Sequence, residues 1–211
     1  MLDLHRHLKP DTRDLSDSAE IMALYGRFIG ERNVNAGCAL NHIVGPGKWT
    51  NVDSNMLCQP DLLCDLRDLV SRLGHNQVDC VFASHVLEHL SCQDLFAAFD
   101  QFWQILRPGG YVLAFVPHGA YDVAWEDPFH LTRFSVVTFA YLCSHMYTEP
   151  GNAGYGAGQG TVTHPWSIVG VAQVPTDEWK GKSDDEIAEA SSRYRNVIKE
   201  IHCVMRKELG S

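Results

Sequence analysis

Apolar residues Ile21, Leu24, Tyr25 and Phe28 recur at helical spacing across residues 17–29, and Ser16 or Asp17 is placed to cap that helix. The period then shortens. Residues 33–37 read as a short strand running into a turn, and 49–53 as a second strand that ends on Asp53. A further short strand falls near 61–64, with Asp65 at its exit. Residues 78–83, in "VDCVFASH", form an unbroken apolar run bounded by polar residues, which is the pattern of a strand covered on both faces. The next segment, "SCQDLFAAFDQFWQIL", predicts an amphipathic helix over 92–106. It stops at Arg107-Pro108-Gly109-Gly110, because proline and paired glycines break a helix. A second buried strand is expected over 111–117 and a helix capped by Ser135 over 135–146. Beyond these come a strand at 166–174 and a capped helix at 183–195. Residues 196–207 fit two periods: Val197, Ile201, Val204 and Met205 suit a helix, whereas Val197, Ile201, Cys203 and Met205 share one strand face. The strand is preferred.

Strands alternating with helices argue for an α/β fold with a mostly parallel sheet. The 211 residues, 45% of them hydrophobic, suit one core, and the chain is read as a single domain over 1–211. Residues 1–30 are read as an N-terminal helical extension, and 147–165, around "GNAGYGAGQG", as a glycine-rich loop whose Tyr155 is placed to act in a lid. The formal net charge of -9 repels phosphate backbones, so no nucleic acid partner is expected. Seven scattered cysteines without a C-x-x-C pair suit reduced, buried thiols rather than a disulfide framework or a zinc ribbon. No apolar run approaches a membrane span, and the charged N-terminus does not read as a signal peptide. A cytoplasmic protein without membrane insertion is the expectation; the sequence leaves its oligomeric state open.

The stretch "SHVLEHL" contains His85-x-x-Glu88-His89, a spacing that on one helix face can hold zinc beside a catalytic glutamate. Here His85 sits at a strand exit, outside any helix, and no third ligand stands in an obvious helical context. No metal is expected on this ground. Satisfied polar residues at a helix start are the plain alternative. A third reading follows from position, because open parallel sheets bind ligands at the carboxyl ends of their strands. Those ends offer Gly37 and Ala39, then Asp53, then Asp65, then Ser84 and His85. A carboxylate ending the second strand can accept both hydroxyls of a ribose, and a glycine in the first turn lets backbone approach a ligand. That layout suits a cofactor containing a nucleoside.

Residues 78–117, with "VLEH" and "LRPGG" flanking a helix between two buried strands, resemble the second half of class I S-adenosylmethionine-dependent methyltransferases. "VNAGCALNHIVGPGKWTNVDSN" resembles the cofactor-binding half of the small-methyltransferase subgroup, and "DPFHLTRFSVVTFAYL" a substrate-side segment. The resemblance covers roughly residues 33–142, with an echo at 196–207. It implies a Rossmann-like, doubly wound, seven-stranded sheet with an antiparallel last strand, and S-adenosyl-L-methionine as cofactor. By position it implies that Gly37 and Ala39 line the methionine and ribose end, and that Asp53 holds the ribose. Asp65 would bond the adenine amino group, with Leu66 against the ring. Ser84 and His85 would border the sulfonium, and His89 would face the cofactor.

The chain departs from the family where its first turn usually reads acidic-x-Gly-x-Gly-x-Gly. Asn35, Ala39 and Asn41 stand at the acidic position and at two of the glycines. Losing a charge-assisted hydrogen bond of about 1.5–3 kcal/mol would weaken binding roughly tenfold or more, and Asn41 is expected to make the turn through its tolerance of left-handed backbone. For the methyl acceptor, the resemblance and the position beyond the fifth strand point to His118 and His130 as catalytic residues, with Trp125, Phe129 and Phe134 as an apolar wall. Two functions follow: a methyltransferase acting on an O or N atom of a small-molecule, sugar or lipid acceptor, or an inactive binding module that has kept the fold.

Overall fold

The computed structural model describes residues 11–14, 19–143 and 164–208. In chain order the elements are β1 (Asp11–Asp14), α1 (Ala19–Tyr25), β2 (Arg32–Ala36), β3 (Asn41–Val44), β4 (Lys48–Asp53), β5 (Leu62–Leu63), α2 (Leu69–Leu73), β6 (Val78–Ser84), α3 (Cys92–Ile105), β7 (Leu106–Pro117), α4 (Val123–Glu126), α5 (Val136–Ala140), β8 (Trp166–Pro175), α6 (Asp184–Ser191) and β9 (Ile198–Lys207). Seven strands form one sheet in the order β5-β4-β2-β6-β7-β9-β8. β2 pairs in parallel with both β4 and β6, β6 with β7, and β4 with β5. β9 is antiparallel to both of its neighbours, β7 and β8. The last strand therefore runs against the other six.

Two apolar faces explain the unbroken runs of β6 and β7. Val81, Ala83, Val112, Ala114 and Val116 join the larger cluster, which α3 completes with Leu95, Phe99, Phe102 and Ile105. Their alternates Cys80, Phe82, Leu113 and Phe115 face the opposite way, against Tyr25 and Phe28 from the N-terminal helical segment and Trp49 of β4. Each strand residue thus finds an apolar partner on one side or the other. α3 starts where Ser91 accepts a hydrogen bond from the Asp94 backbone N–H at 3.1 Å. Lys207 ties the end of β9 to this layer: its buried ammonium donates to Asn76 Oδ1, Trp103 O and Leu106 O at 2.9, 2.7 and 2.8 Å.

Several expectations change. The supposed helical extension contains a strand, since β1 pairs in parallel with β3. β3 itself was hidden in "NHIV", whose ends are exposed and whose apolar content is too short to carry a period. The helix expected at 17–29 is α1 followed by a 3-10 turn, Gly26–Phe28. β7 begins at Leu106, before the proline and glycines: Leu106 pairs with Val78 and Tyr111 with Cys80, so residues 107–110 bulge out of the ladder. The segment 196–207 is a strand, as preferred. The glycine-rich loop at 151–160, Tyr155 and the last turn of the helix expected at 135–146 lie outside the described residues. No helix among the described residues is long and apolar enough to cross a membrane. All seven cysteines are free thiols and six are buried; burial pushes the Cys38 thiol up to about 12 and the Cys143 thiol up to about 11.

Candidate functional site

The chain moves outward from β2 to β4 and β5, then crosses back over β2 to β6 and β7. Between β2 and β6 the direction of winding reverses, which is where open α/β sheets bind ligands. Gly37 and Ala39 follow β2, and Ser84 and His85 close β6.

The first turn is built from two left-handed residues, Gly37 (φ 65°) and Ala39 (φ 43°). A Cβ on Gly37 would overlap Val86 Cγ2, so only glycine fits beneath the β6 exit. Asn41 does not take the left-handed backbone expected of it; it is the first residue of β3. Asn35 is buried and donates to Asn41 O at 2.8 Å and to Asn51 Oδ1 at 3.0 Å. Its amide therefore knits β2 to β4 and the turn, and is not turned toward a ligand. Asp53 stands at the end of β4. Oδ2 accepts the Ala39 N–H and Oδ1 the Asn55 N–H, both at 2.8 Å.

Asp65 caps the turn after β5. Its carboxylate accepts the Arg67 backbone N–H, and the Arg67 guanidinium grips both oxygens at 2.8 and 2.7 Å. Those bonds hold the carboxyl below its usual range. An adenine amino group there has to share it. Leu66 packs into the larger core cluster. Exposed apolar side chains at this end include Met56 and Leu57, three and four residues after Asp53, and Leu63 at the end of β5. The place of Met56 and Leu57 in an otherwise polar "DSNMLCQ" loop was the available signal.

His85 leaves β6 in a left-handed conformation (φ 53°). Its Nε2 lies 2.6 Å from Glu200 Oε1, and its Nδ1 faces Glu88 Oε1 at 3.3 Å. The hydrogen bonds to Glu200 and then Glu88 raise the imidazole to about 9 against burial. Burial alone would raise Glu200, but its bonds with His202 and His85 outweigh that and pull it to about 2. His202 Nε2 holds the other Glu200 oxygen at 2.8 Å, and Tyr25 Oη lies 2.7 Å from His202 Nδ1. Neither Glu200 nor His202 was foreseen, since nothing local to "VIKEIHC" marks a partner for β6.

Residues Leu87–His89 make a single 3-10 turn, so His85 and His89 never share a helix face. A different neighbour arrives. The backbone N–H groups of Leu131 and Thr132 donate to Glu88 O at 2.7 and 3.0 Å, and Thr132 Oγ1 to Leu90 O at 2.7 Å. The segment "DPFHLT" is thereby laid along "LEHL". His130 is buried there, its ring edge-on to His89 with centroids 4.7 Å apart. Its Nε2 lies 3.7 Å from Asp127 Oδ2 and 4.0 Å from Glu88 Oε1, both longer than a hydrogen bond. His118 follows β7. Its Nδ1 accepts the Ala120 N–H at 3.1 Å, and burial lowers its affinity for a second proton. Of the expected apolar wall, Phe134 is core, whereas Trp125 and Phe129 are exposed at 56% and 73%.

Residues 50–114 match a family described as methyltransferase domain. No curated protein matches the chain. Among solved structures it is similar to a SAM-dependent methyltransferase from Archaeoglobus fulgidus, at 15% identity and a TM-score of 0.57 over 92% of this chain and 94% of that one. It is similar also to an S-adenosylmethionine-dependent methyltransferase from Mesorhizobium loti, at 16% identity and a TM-score of 0.52 over 88% and 95%. The cyclase SpnF shares the fold at 13% identity, with a TM-score of 0.54 over 93% and 80%. The chain has the fold of the class I S-adenosylmethionine-dependent methyltransferases, and the family match falls on the central part of its sheet. S-adenosylmethionine is the cofactor that these two findings indicate.

Proposed function

We propose that the protein transfers the methyl group of S-adenosylmethionine to an oxygen or nitrogen atom of a small-molecule, sugar or lipid acceptor. The observation that carries this reading is that Asp53 accepts the Ala39 N–H of the first turn beside the sheet's reversal point. Asp53 keeps lone pairs beyond its two backbone bonds, enough to accept a ribose diol. The turn at Gly37 and Ala39 lines the amino-acid end, Asp65 meets the adenine edge while Met56 and Leu57 cover its face, and Leu66 supports the loop from the core. Ser84, His85 and His89 border the reacting centre.

When bound, the cofactor supplies an electrophilic methyl group on a sulfonium. The chain's task is to align the acceptor and exclude water. Protonated His85 is balanced by Glu200 and Glu88, so it adds little net charge beside a sulfonium. On the acceptor side we assign His130 to receive the proton of a hydroxyl acceptor. His118 has a different part: with Nδ1 accepting from Ala120, its neutral ring carries the proton on Nε2, so it donates to the acceptor and orients it. Exposed Trp125 and Phe129 favour an acceptor with an apolar portion.

Titration calorimetry with S-adenosylmethionine and S-adenosylhomocysteine tests the site, and a panel of hydroxyl and amine acceptors with isotopically labelled methyl donor tests the reaction. Micromolar binding with labelled product is expected. Absence of binding at millimolar cofactor would instead favour the inactive module.

A further inference from the structure

Glu88 is 1% exposed; its Oε1 faces only His85 Nδ1 at 3.3 Å, and its Oε2 has no hydrogen-bond partner, nor has the buried Nδ1 of His130. Buried polar atoms left without partners are each costly. They are not scattered. Glu88, His89 and His130 each offer one ligand atom, and these atoms all lie within 4.8 Å of one another. Zinc-ligand bonds of about 2.0–2.1 Å set tetrahedral donors about 3.3 Å apart, so closing the group takes a shift of at most about 1.5 Å. Exposed His89 can supply much of that by rotation. The backbone bonds from Leu131 and Thr132 to Glu88 O fix the two segments side by side, which preorganises the set.

We propose that Glu88, His89 and His130 form a binding site for a divalent transition-metal ion of the zinc, cobalt or nickel class. Two imidazoles and one carboxylate suit that class rather than magnesium or calcium, which prefer oxygen donors. Glu88 Oε1 already faces His85 Nδ1 at 3.3 Å, so Oε2 is the oxygen open to a metal. Asp127 Oδ2, 3.7 Å from His130 Nε2, is placed to orient that ring from outside. This is not the His85-x-x-Glu88-His89 pairing suggested by spacing, because His85 is committed to Glu200 and the second histidine comes from a segment about 40 residues downstream. Three protein ligands leave a coordination position for an oxygen or nitrogen donor. With a metal bound, His130 would serve as a ligand and not as a base, and the metal would supply the Lewis acidity that activates an acceptor oxygen. Metal binding itself does not depend on methyl transfer.

The test uses the full chain, freed of metal by chelator and titrated with Co(II) followed by visible absorption, then with Zn(II) by calorimetry. One equivalent is expected to bind at micromolar affinity or better, with the intense bands of low-symmetry Co(II). His89→Ala, at an exposed position, should weaken binding by tenfold or more without lowering the melting temperature of the metal-free protein. His130→Ala should do the same to affinity, whereas His75→Ala, an exposed histidine elsewhere, should leave it unchanged. No binding at millimolar metal, or binding untouched by His89→Ala, or equal loss in His75→Ala, would overturn the proposal. These readouts need no cofactor, so failure here leaves the methyltransferase reading standing.

Discussion

Ala39 holds a backbone conformation (φ 43°) that costs an L-residue about 1–2 kcal/mol, and it does so where its N–H bonds Asp53. Glycine would remove that strain but lose about 0.5–1 kcal/mol of its own entropy. Ala39→Gly is therefore expected to raise stability by up to about 1 kcal/mol in denaturant melts, and to leave cofactor affinity equal or a few-fold tighter by calorimetry. Asp53→Ala removes the ribose acceptor and frees two N–H groups, so affinity for S-adenosylhomocysteine should fall tenfold or more, given about 1.5–3 kcal/mol for a charge-assisted bond. Unchanged affinity would sink the ribose assignment. The places of Gly37, Asp53 and Asp65 at strand ends were legible because their own neighbours define those strands. Glu200 was not, because its partner His85 lies 115 positions away and only the sheet brings them together. The burial of Leu66 in the core cluster was not legible either, because periodicity marks a residue as apolar without saying what it faces.

At the scale of elements, the His85–Glu200 pair joins the exit of β6 to β9 across the width of β7. His85 is raised to about 9, above its unfolded value near 6.5, so its contribution is complete below about pH 6.5 and is lost as pH rises through about 9. Glu200 is lowered to about 2, so its contribution is complete above its unfolded value near 4.5 and is lost only as pH falls toward about 2. The side chain of His85 is half exposed, and such a pair contributes no more than about 1 kcal/mol, roughly 2–4 °C at this chain length. His85→Gln should therefore lower the melting temperature by about that much at pH 6 and by almost nothing at pH 10. An identical deficit at both values would show that the loss is one of packing. The long amphipathic α3 and the buried β6 and β7 were legible from period alone. β1 and β3 were not, since four-residue strands leave no period to read.

Across the whole molecule, a ligand that binds only the folded chain stabilises it by mass action. S-adenosylhomocysteine at about 100 times its dissociation constant should add about 2.7 kcal/mol and raise the melting temperature by roughly 5–10 °C. Differential scanning fluorimetry reads this directly, and a flat melting curve would count against an intact crevice. The fold class was legible because strand and helix alternate along the chain. The acceptor was not, because the wall proposed for it would combine exposed Trp125 and Phe129 from one segment with histidines that tertiary structure alone gathers.

The strand order also fixes a sequence of events in time. β9 lies between β7 and β8, so β8, although made earlier, has no edge to pair with until the residues after 197 exist. On a ribosome the left flank and centre of the sheet can assemble while β7 still presents an open, apolar edge, the kind of edge that recruits foreign strands. Emergence of β9 closes that edge, seats β8 and delivers Glu200 to His85 together. The charge balance beside the β6 exit is thus set by a strand made after the rest of the sheet.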